Sequence, residues 1–188
     1  NGIIKEKAYY PITPEECFLT LSSNDYPVEG MKQHEIHLQQ SFFKPRRVDL
    51  FFDPQGKVQW KDSDNLPVTD FPIKSHSDKR GVIEMIEPPP PNPPLYLYVA
   101  GIDPYKTSET EYSDSVGSVY IWKRRTDDMS EPYQDMPVAW YSGRPKDIKE
   151  WQENVRMLLH LYNASAMCES NDENFIIYMQ ERNEEYYL

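Results

Sequence analysis

The alternation of apolar and polar positions is most regular in the second half of the chain. Residues 95–102 form a nearly continuous apolar run, which is typical of a central strand covered on both faces. Two further strands are predicted over 116–122 and 137–141, where apolar and aromatic residues alternate or follow one another. The pattern therefore begins with three strands in succession.

The clearest helix of the sequence follows these strands and starts at Pro145. Its apolar residues recur at intervals of three and four and so form one stripe: Ile148, Trp151, Val155, Leu158, Leu159 and Tyr162. A run of small residues over 164–168 predicts a fourth strand, which ends at Glu169, and a second helix is expected over 172–182. The order β-β-β-α-β-α predicts an antiparallel meander, after which the helix returns the chain to a parallel fourth strand.

The first half carries weaker patterns. A helix is expected to begin at Thr13, which can cap it, and a second helix is expected over 30–43. A β-hairpin is predicted over 48–60 with its turn at 53–56, and another short strand over 82–86.

A proline-rich segment separates the two halves. Residues 88–94 contain six prolines in seven positions, a composition that favours polyproline II geometry and is typical of a stiff linker. Such a run can also serve as a ligand for a proline-binding module. We therefore predict three parts: a small α+β segment over 1–87, a linker over 88–94 and an α/β domain over 95–188.

The first and fourth predicted strands of this domain each end in an acidic residue. Because the fourth strand is expected beside the first and parallel to it, Asp103 and Glu169 should meet at the same edge of the sheet. Two converging carboxylates repel each other unless a cation lies between them, and Mg²⁺ or Mn²⁺ prefers such oxygen ligands. Either residue alone is more typical of a turn or a helix cap, whereas the pair predicts a metal site.

Composition and charge narrow the class of protein. Hydrophobic residues make up 38% of the chain and aromatic residues 13%, which favours a folded core. The net charge is −11, and the part over 92–188 is the more acidic, with nine basic and seventeen acidic residues. A DNA-binding surface is usually basic, so we do not expect this part to hold DNA strongly by itself, even though bound divalent cations would offset some of its charge.

The cysteines and the apolar stretches point to a reducing cytoplasm. Cys17 and Cys168 lie far apart and outside any metal-binding pattern, as expected of small buried side chains. No apolar stretch approaches the roughly 20 residues that cross a bilayer, and residues 1–10 lack the apolar core of a signal peptide. Since residue 1 is Asn1 rather than Met, we expect the sequence to be a fragment.

Several segments, in their order and spacing, resemble the large subunit of tailed-phage terminases. The similar segments are 10–18, 98–103, 113–115, 117–122, 138–145 and 168–171. The first is similar to a stretch near the end of the ATPase part, and the others to the nuclease domain. Together they span most of residues 9–182.

This resemblance implies an RNase H-like nuclease domain, incomplete at its C-terminus, that follows the tail of the ATPase part. The parent protein would pack viral DNA and cut concatemers in the host bacterial cytoplasm, with double-stranded viral DNA, the portal protein and the small terminase subunit as partners and no membrane. Asp103 and Glu169 would be catalytic ligands of two Mg²⁺ or Mn²⁺ ions, which lie about 3.5–4 Å apart in such centres and activate a water. Asp114 would be an auxiliary metal ligand, although a β-turn position explains it equally well.

The chain departs from the family pattern in two respects. A third acidic ligand is expected on a later element, and the chain should stop at Leu188 before reaching it. No GxxxxGK[ST] motif occurs, so ATP is expected to bind only in the absent ATPase domain. Two alternatives stay open: another RNase H-like nuclease of the resolvase or transposase type, and a non-catalytic RNase H-like scaffold that binds the portal or capsid.

Overall fold

A computed structural model describes residues 30–33, 35–36, 44–69, 78–105, 115–127, 133–169 and 173–188. The chain divides into two compact units, Asn1–Phe43 and Lys44–Leu188. In the first unit the described residues 30–33 and 35–36 are helical, within the helix predicted over 30–43. The helix predicted at Thr13 lies outside the described residues.

The second unit is an α/β fold built on one mixed sheet of seven strands. The strands are β1 Arg46–Phe52, β2 Val58–Asp62, β3 Ile83–Met85, β4 Tyr98–Asp103, β5 Gly117–Lys123, β6 Met136–Gly143 and β7 Ser165–Cys168. Their order across the sheet is β2-β1-β3-β6-β5-β4-β7. Among the described strands, β4 and β7 pair in parallel, and every other neighbouring pair is antiparallel.

The described part of this unit also contains two helices and a short 3₁₀ turn: α1 Ile148–Tyr162, α2 Asn174–Gln180 and Glu185–Tyr187. The predicted order β-β-β-α-β-α is therefore confirmed from β4 to α2. The Asp147 carboxylate caps α1 by accepting a hydrogen bond from the backbone N–H of Lys149 at 2.9 Å. None of the helices in the described part of the chain has the length and apolar character needed to span a membrane.

The core lies between the sheet and α1. The predicted helical stripe is buried there, since Trp151, Val155 and Leu158 are fully buried. Strand β5 alternates between its two faces: Val119 and Ile121 are buried, while Tyr120, Trp122 and Ser118 are not. We call the sheet surface turned away from α1 the open face, and it carries the side chains of Tyr120 and Trp122.

The proline-rich segment does not separate two domains, contrary to the predicted boundary at 88–94. It joins β3 to β4 within one sheet, because β3 pairs with β6 through Ile83 and Met85. Prolines cannot donate ladder hydrogen bonds, but their carbonyl groups accept them. Lys57 Nζ donates to Pro91 O at 3.3 Å and Asn163 Nδ2 to Pro93 O at 3.1 Å, so the segment is held against the fold.

Candidate metal centre

The two predicted site residues stand next to each other at one edge of the sheet. Strands β4 and β7 pair in parallel, with Ile102 opposite Cys168 as the last register pair. The backbone N–H of Glu169 donates to Ile102 O at 2.9 Å, which extends this pairing to the end of both strands. Asp103 and Glu169 therefore lie at neighbouring positions, as the sequence predicted, and their role as metal ligands stays a prediction.

Both carboxylates are accessible. Side chains alternate along a strand, and the buried Ile102 before Asp103 points to the core. Asp103 and Glu169 are both exposed, which places them on the open face with Gly101 and Met167. Neighbouring strands lie about 4.8 Å apart, so two such carboxylates are within reach of one cation.

Both carboxylates affect the pKa of the Cys168 thiol. Burial raises the pKa of Cys168, and the negative charges of Asp103 and Glu169 raise it further, to about 11. The thiol is therefore protonated at neutral pH in the metal-free protein.

A row of hydroxyl groups continues from the carboxylates across the sheet. Asp103 lies opposite Ser118 on β5, and Ser118 lies opposite Ser142 on β6. The two hydroxyl oxygens are 2.9 Å apart and share a hydrogen bond. Sequence reasoning missed both serines, although each stands at a polar position within an apolar strand.

A cationic side chain lies at the same end of the sheet. Arg144 follows β6, and its guanidinium lies 4.6 Å from the centre of the Tyr105 ring, two residues beyond Asp103. Arg144 Nη1 also donates to the backbone and side-chain oxygens of Ser115, at 3.1 and 3.0 Å. Arg144 falls in the segment 138–145 that resembles the terminase, but the sequence alone gave it no role.

The donor set at this edge fits a hard divalent cation in part. Mg²⁺ is commonly held by one or two carboxylates while waters or substrate phosphates fill its other positions, and Asp103 and Glu169 can supply such a pair. Within the described residues no group of three or more His, Cys, Asp or Glu side chains is placed to hold a metal. Asp114, the predicted auxiliary ligand, lies outside the described residues.

Comparison with known proteins gives no relative. No protein-family model matches the chain, and neither a curated protein nor a solved structure is significantly similar to it.

Proposed function

We propose that this chain is the RNase H-like nuclease part of a phage DNA-packaging terminase, a metal-dependent endonuclease that cuts concatemeric viral DNA. The observation that carries the proposal is the position of Asp103 and Glu169, at neighbouring ends of the parallel strands β4 and β7. The strand order from β4 to α2 and the resemblance of the sequence segments support it. The portal protein and the small terminase subunit are partners only under this proposal.

The residues at the sheet edge suggest a division of roles. Asp103 and Glu169 would hold Mg²⁺ or Mn²⁺, which supplies an activated water and stabilises the leaving oxygen of a phosphodiester. Both carboxylates stand at the ends of hydrogen-bonded strands, so their positions are fixed before substrate arrives. Arg144, held over Tyr105 at the same end, is suited to hold a phosphate oxygen of the substrate.

Metal binding and strand cleavage test this proposal together. We expect calorimetric titration with Mn²⁺ to detect binding that falls at least tenfold in Asp103→Asn and in Glu169→Gln. We also expect Mn²⁺-dependent nicking of supercoiled plasmid that both substitutions abolish. Asp62→Asn is the matched control, because Asp62 is an exposed carboxylate on β2 at the opposite edge of the sheet. Equal nicking by all four proteins would refute the assignment.

A non-catalytic interaction module is the second candidate. It is favoured by the exposed aromatic side chains of Tyr120 and Trp122, which lie on the same face as the carboxylates. Under this alternative, wild type, Asp103→Asn and Glu169→Gln all show only background cleavage, while binding to a protein partner persists in all three.

A further inference from the structure

A row of side chains crosses the open face of the sheet. Strand register places Glu84, Trp140, Tyr120, Gly101 and Met167 side by side, on β3, β6, β5, β4 and β7 in that order. The first four positions alternate with buried neighbours, and Met167 is the exposed position between the half-buried Ala166 and Cys168, so all five face away from α1. We call these five residues the aromatic row. Its members Gly101 and Met167 lie two residues before Asp103 and Glu169, respectively.

Part of the aromatic row and its neighbour Trp122 are open to solvent, while Glu84 and Trp140 are half-buried. Tyr120 is 48% exposed, Trp122 39% and Met167 81%. A Cβ added at Gly101 would meet no heavy atom within 4 Å, so the space beside the Tyr120 ring is empty in the described part of the fold. The Tyr120 and Trp140 rings are stacked, with centroids 6.5 Å apart and planes 23° apart. Exposed contiguous apolar surface of this kind commonly marks an interaction site.

Carboxylates border the same rings. Trp140 Nε1 donates to Glu84 Oε2 at 2.7 Å, and Trp122 Nε1 donates to Asp135 Oδ1 at 3.2 Å. Each acid is thus fixed at the edge of an indole. Asp103 and Glu169 add two more carboxylates at the end of the face.

The positive charges of this face lie at its margins, on β1 and just beyond the ends of β5 and β6, where Arg124 and Arg144 follow the strands. Within the strands from β3 to β7, the described open-face positions include no Lys or Arg. Arg47 on the adjacent strand β1 lies opposite Glu84, and its Nη1 donates to Asn65 O, while Lys61 lies on β2 at the edge of the sheet. From Trp140 to Met167 the row therefore carries no cationic side chain, and carboxylates lie at the edges of its rings.

We propose that the open face binds an arginine-rich segment of a partner protein. A guanidinium group can stack on an aromatic ring and pair with a carboxylate at the same time, and arginine does both better than lysine. Phosphate groups of a nucleic acid would instead be repelled by the carboxylates in and beside the row, Glu84, Asp135, Asp103 and Glu169. A second copy of the chain would bring the same acidic face against this one, so a symmetric dimer is not favoured here.

Peptide titration tests this proposal with the whole chain, followed by intrinsic tryptophan fluorescence. We expect an octa-arginine peptide to bind at least threefold more tightly than octa-lysine. Tyr120→Ala should weaken octa-arginine binding three- to tenfold, whereas Tyr120→Phe, which keeps the ring, should bind as wild type does. Tyr186→Ala is the matched control, because Tyr186 is an exposed tyrosine on the 3₁₀ turn, outside the open face.

Three results would overturn the proposal. Equal binding by wild type, Tyr120→Ala and Tyr186→Ala would show general attraction of a basic peptide to an acidic chain. Binding of a single-stranded oligonucleotide that depends on Tyr120 would make the ligand a nucleic acid. A dimer in sedimentation that Tyr120→Ala dissociates would make it a second copy. Because none of these measurements uses Asp103, Glu169 or a metal ion, they are independent of the nuclease proposal.

Discussion

Substitution of two glycines on adjacent strands tests which face of the sheet is packed against other residues. A Cβ added at Gly117 on β5 would lie 2.5 Å from Cε2 of Trp151, 2.6 Å from Cζ2 and 2.7 Å from Nε1. Trp151 is fully buried between the sheet and its neighbours, so the ring cannot move aside without repacking the core. At Gly101 on β4, the same added atom meets nothing within 4 Å. The same substitution, Gly→Ala, therefore places its methyl group against the buried Trp151 ring at position 117 and in open space at position 101.

The expected free-energy changes have opposite signs. Forcing an extra methyl group into a filled core costs about 1–3 kcal/mol. Replacing a strand glycine by alanine regains roughly 0.5–1 kcal/mol, because glycine loses more backbone freedom on folding. Gly117→Ala should therefore lower the free energy of unfolding by about 1–2 kcal/mol, and Gly101→Ala should leave it unchanged or raise it by up to about 1 kcal/mol.

Urea unfolding at pH 7, followed by tryptophan fluorescence, measures both changes. With an m-value of about 2 kcal/mol/M, the midpoints of the two variants should differ by roughly 1 M. Equal destabilisation by the two substitutions would refute the distinction between the faces. A loss of more than about 1 kcal/mol in Gly101→Ala would mean that another segment packs on the open face, which would also remove the surface proposed for the arginine-rich partner.

Two ion pairs give further predictions. The hydrogen bond from Arg156 lowers the pKa of Glu184 to about 2, so this carboxylate stabilises the fold above its ordinary pKa of 4.5 and ceases to do so as the pH falls toward 2. Urea unfolding of Glu184→Gln should show a loss of about 1–3 kcal/mol at pH 7 that shrinks at pH 2.5, and a pH-independent loss would contradict this account. Lys123 is 1% exposed and donates to both carboxylate oxygens of Glu87, at 2.9 and 3.1 Å, so Glu87→Gln should cost roughly 1.5–3 kcal/mol through the loss of a charge-assisted hydrogen bond. The double variant Glu87→Gln/Lys123→Met should lose less free energy of unfolding than the two single variants lose in sum, measured in the same assay. Additive losses would exclude the pairing.

Periodicity predicted the elements whose partners lie nearby in the sequence. The stripe of α1 and the strands of the β4-β5-β6 meander were identified because apolar spacing directly records which side of an element is buried. The parallel pairing of β4 with β7 followed from the intervening helix. These two inferences were enough to bring Asp103 and Glu169 to one edge of the sheet.

The extent of the sheet could not be predicted in the same way. Spacing shows that Ile83 and Met85 are buried but not that their strand pairs with β6, more than 50 residues later. The proline content of 88–94 suggested a boundary, because the carbonyl groups that bind this segment to Lys57 and Asn163 leave no trace in its composition. The first three strands were therefore assigned to a separate part of the chain.

The exposure of the open face could not be predicted from the sequence for a related reason. On β5 the two alternating lines, Val119 with Ile121 and Tyr120 with Trp122, are both hydrophobic, so the pattern did not show that the aromatic line faces solvent. The burial of Lys123 could not be predicted either, because a charged residue gives no indication of burial until its partner Glu87 is placed.

The carboxylate pair and the aromatic row use one face, yet they require ligands of opposite charge. Phosphates need the positive charge of a bound ion and of Arg144, and both would stand at the end of the sheet, beyond Asp103. A cationic segment needs the acids that border Tyr120, Trp122 and Trp140, which lie further along the strands. A nucleic acid would therefore approach the edge from the Arg144 side, while the partner protein lies across the rings. Gly101 of the row lies two residues before Asp103 on β4, about 7 Å along the strand. Since exposed charges interact over about 8 Å at physiological salt, we expect occupancy of one proposed site to alter the affinity of the other.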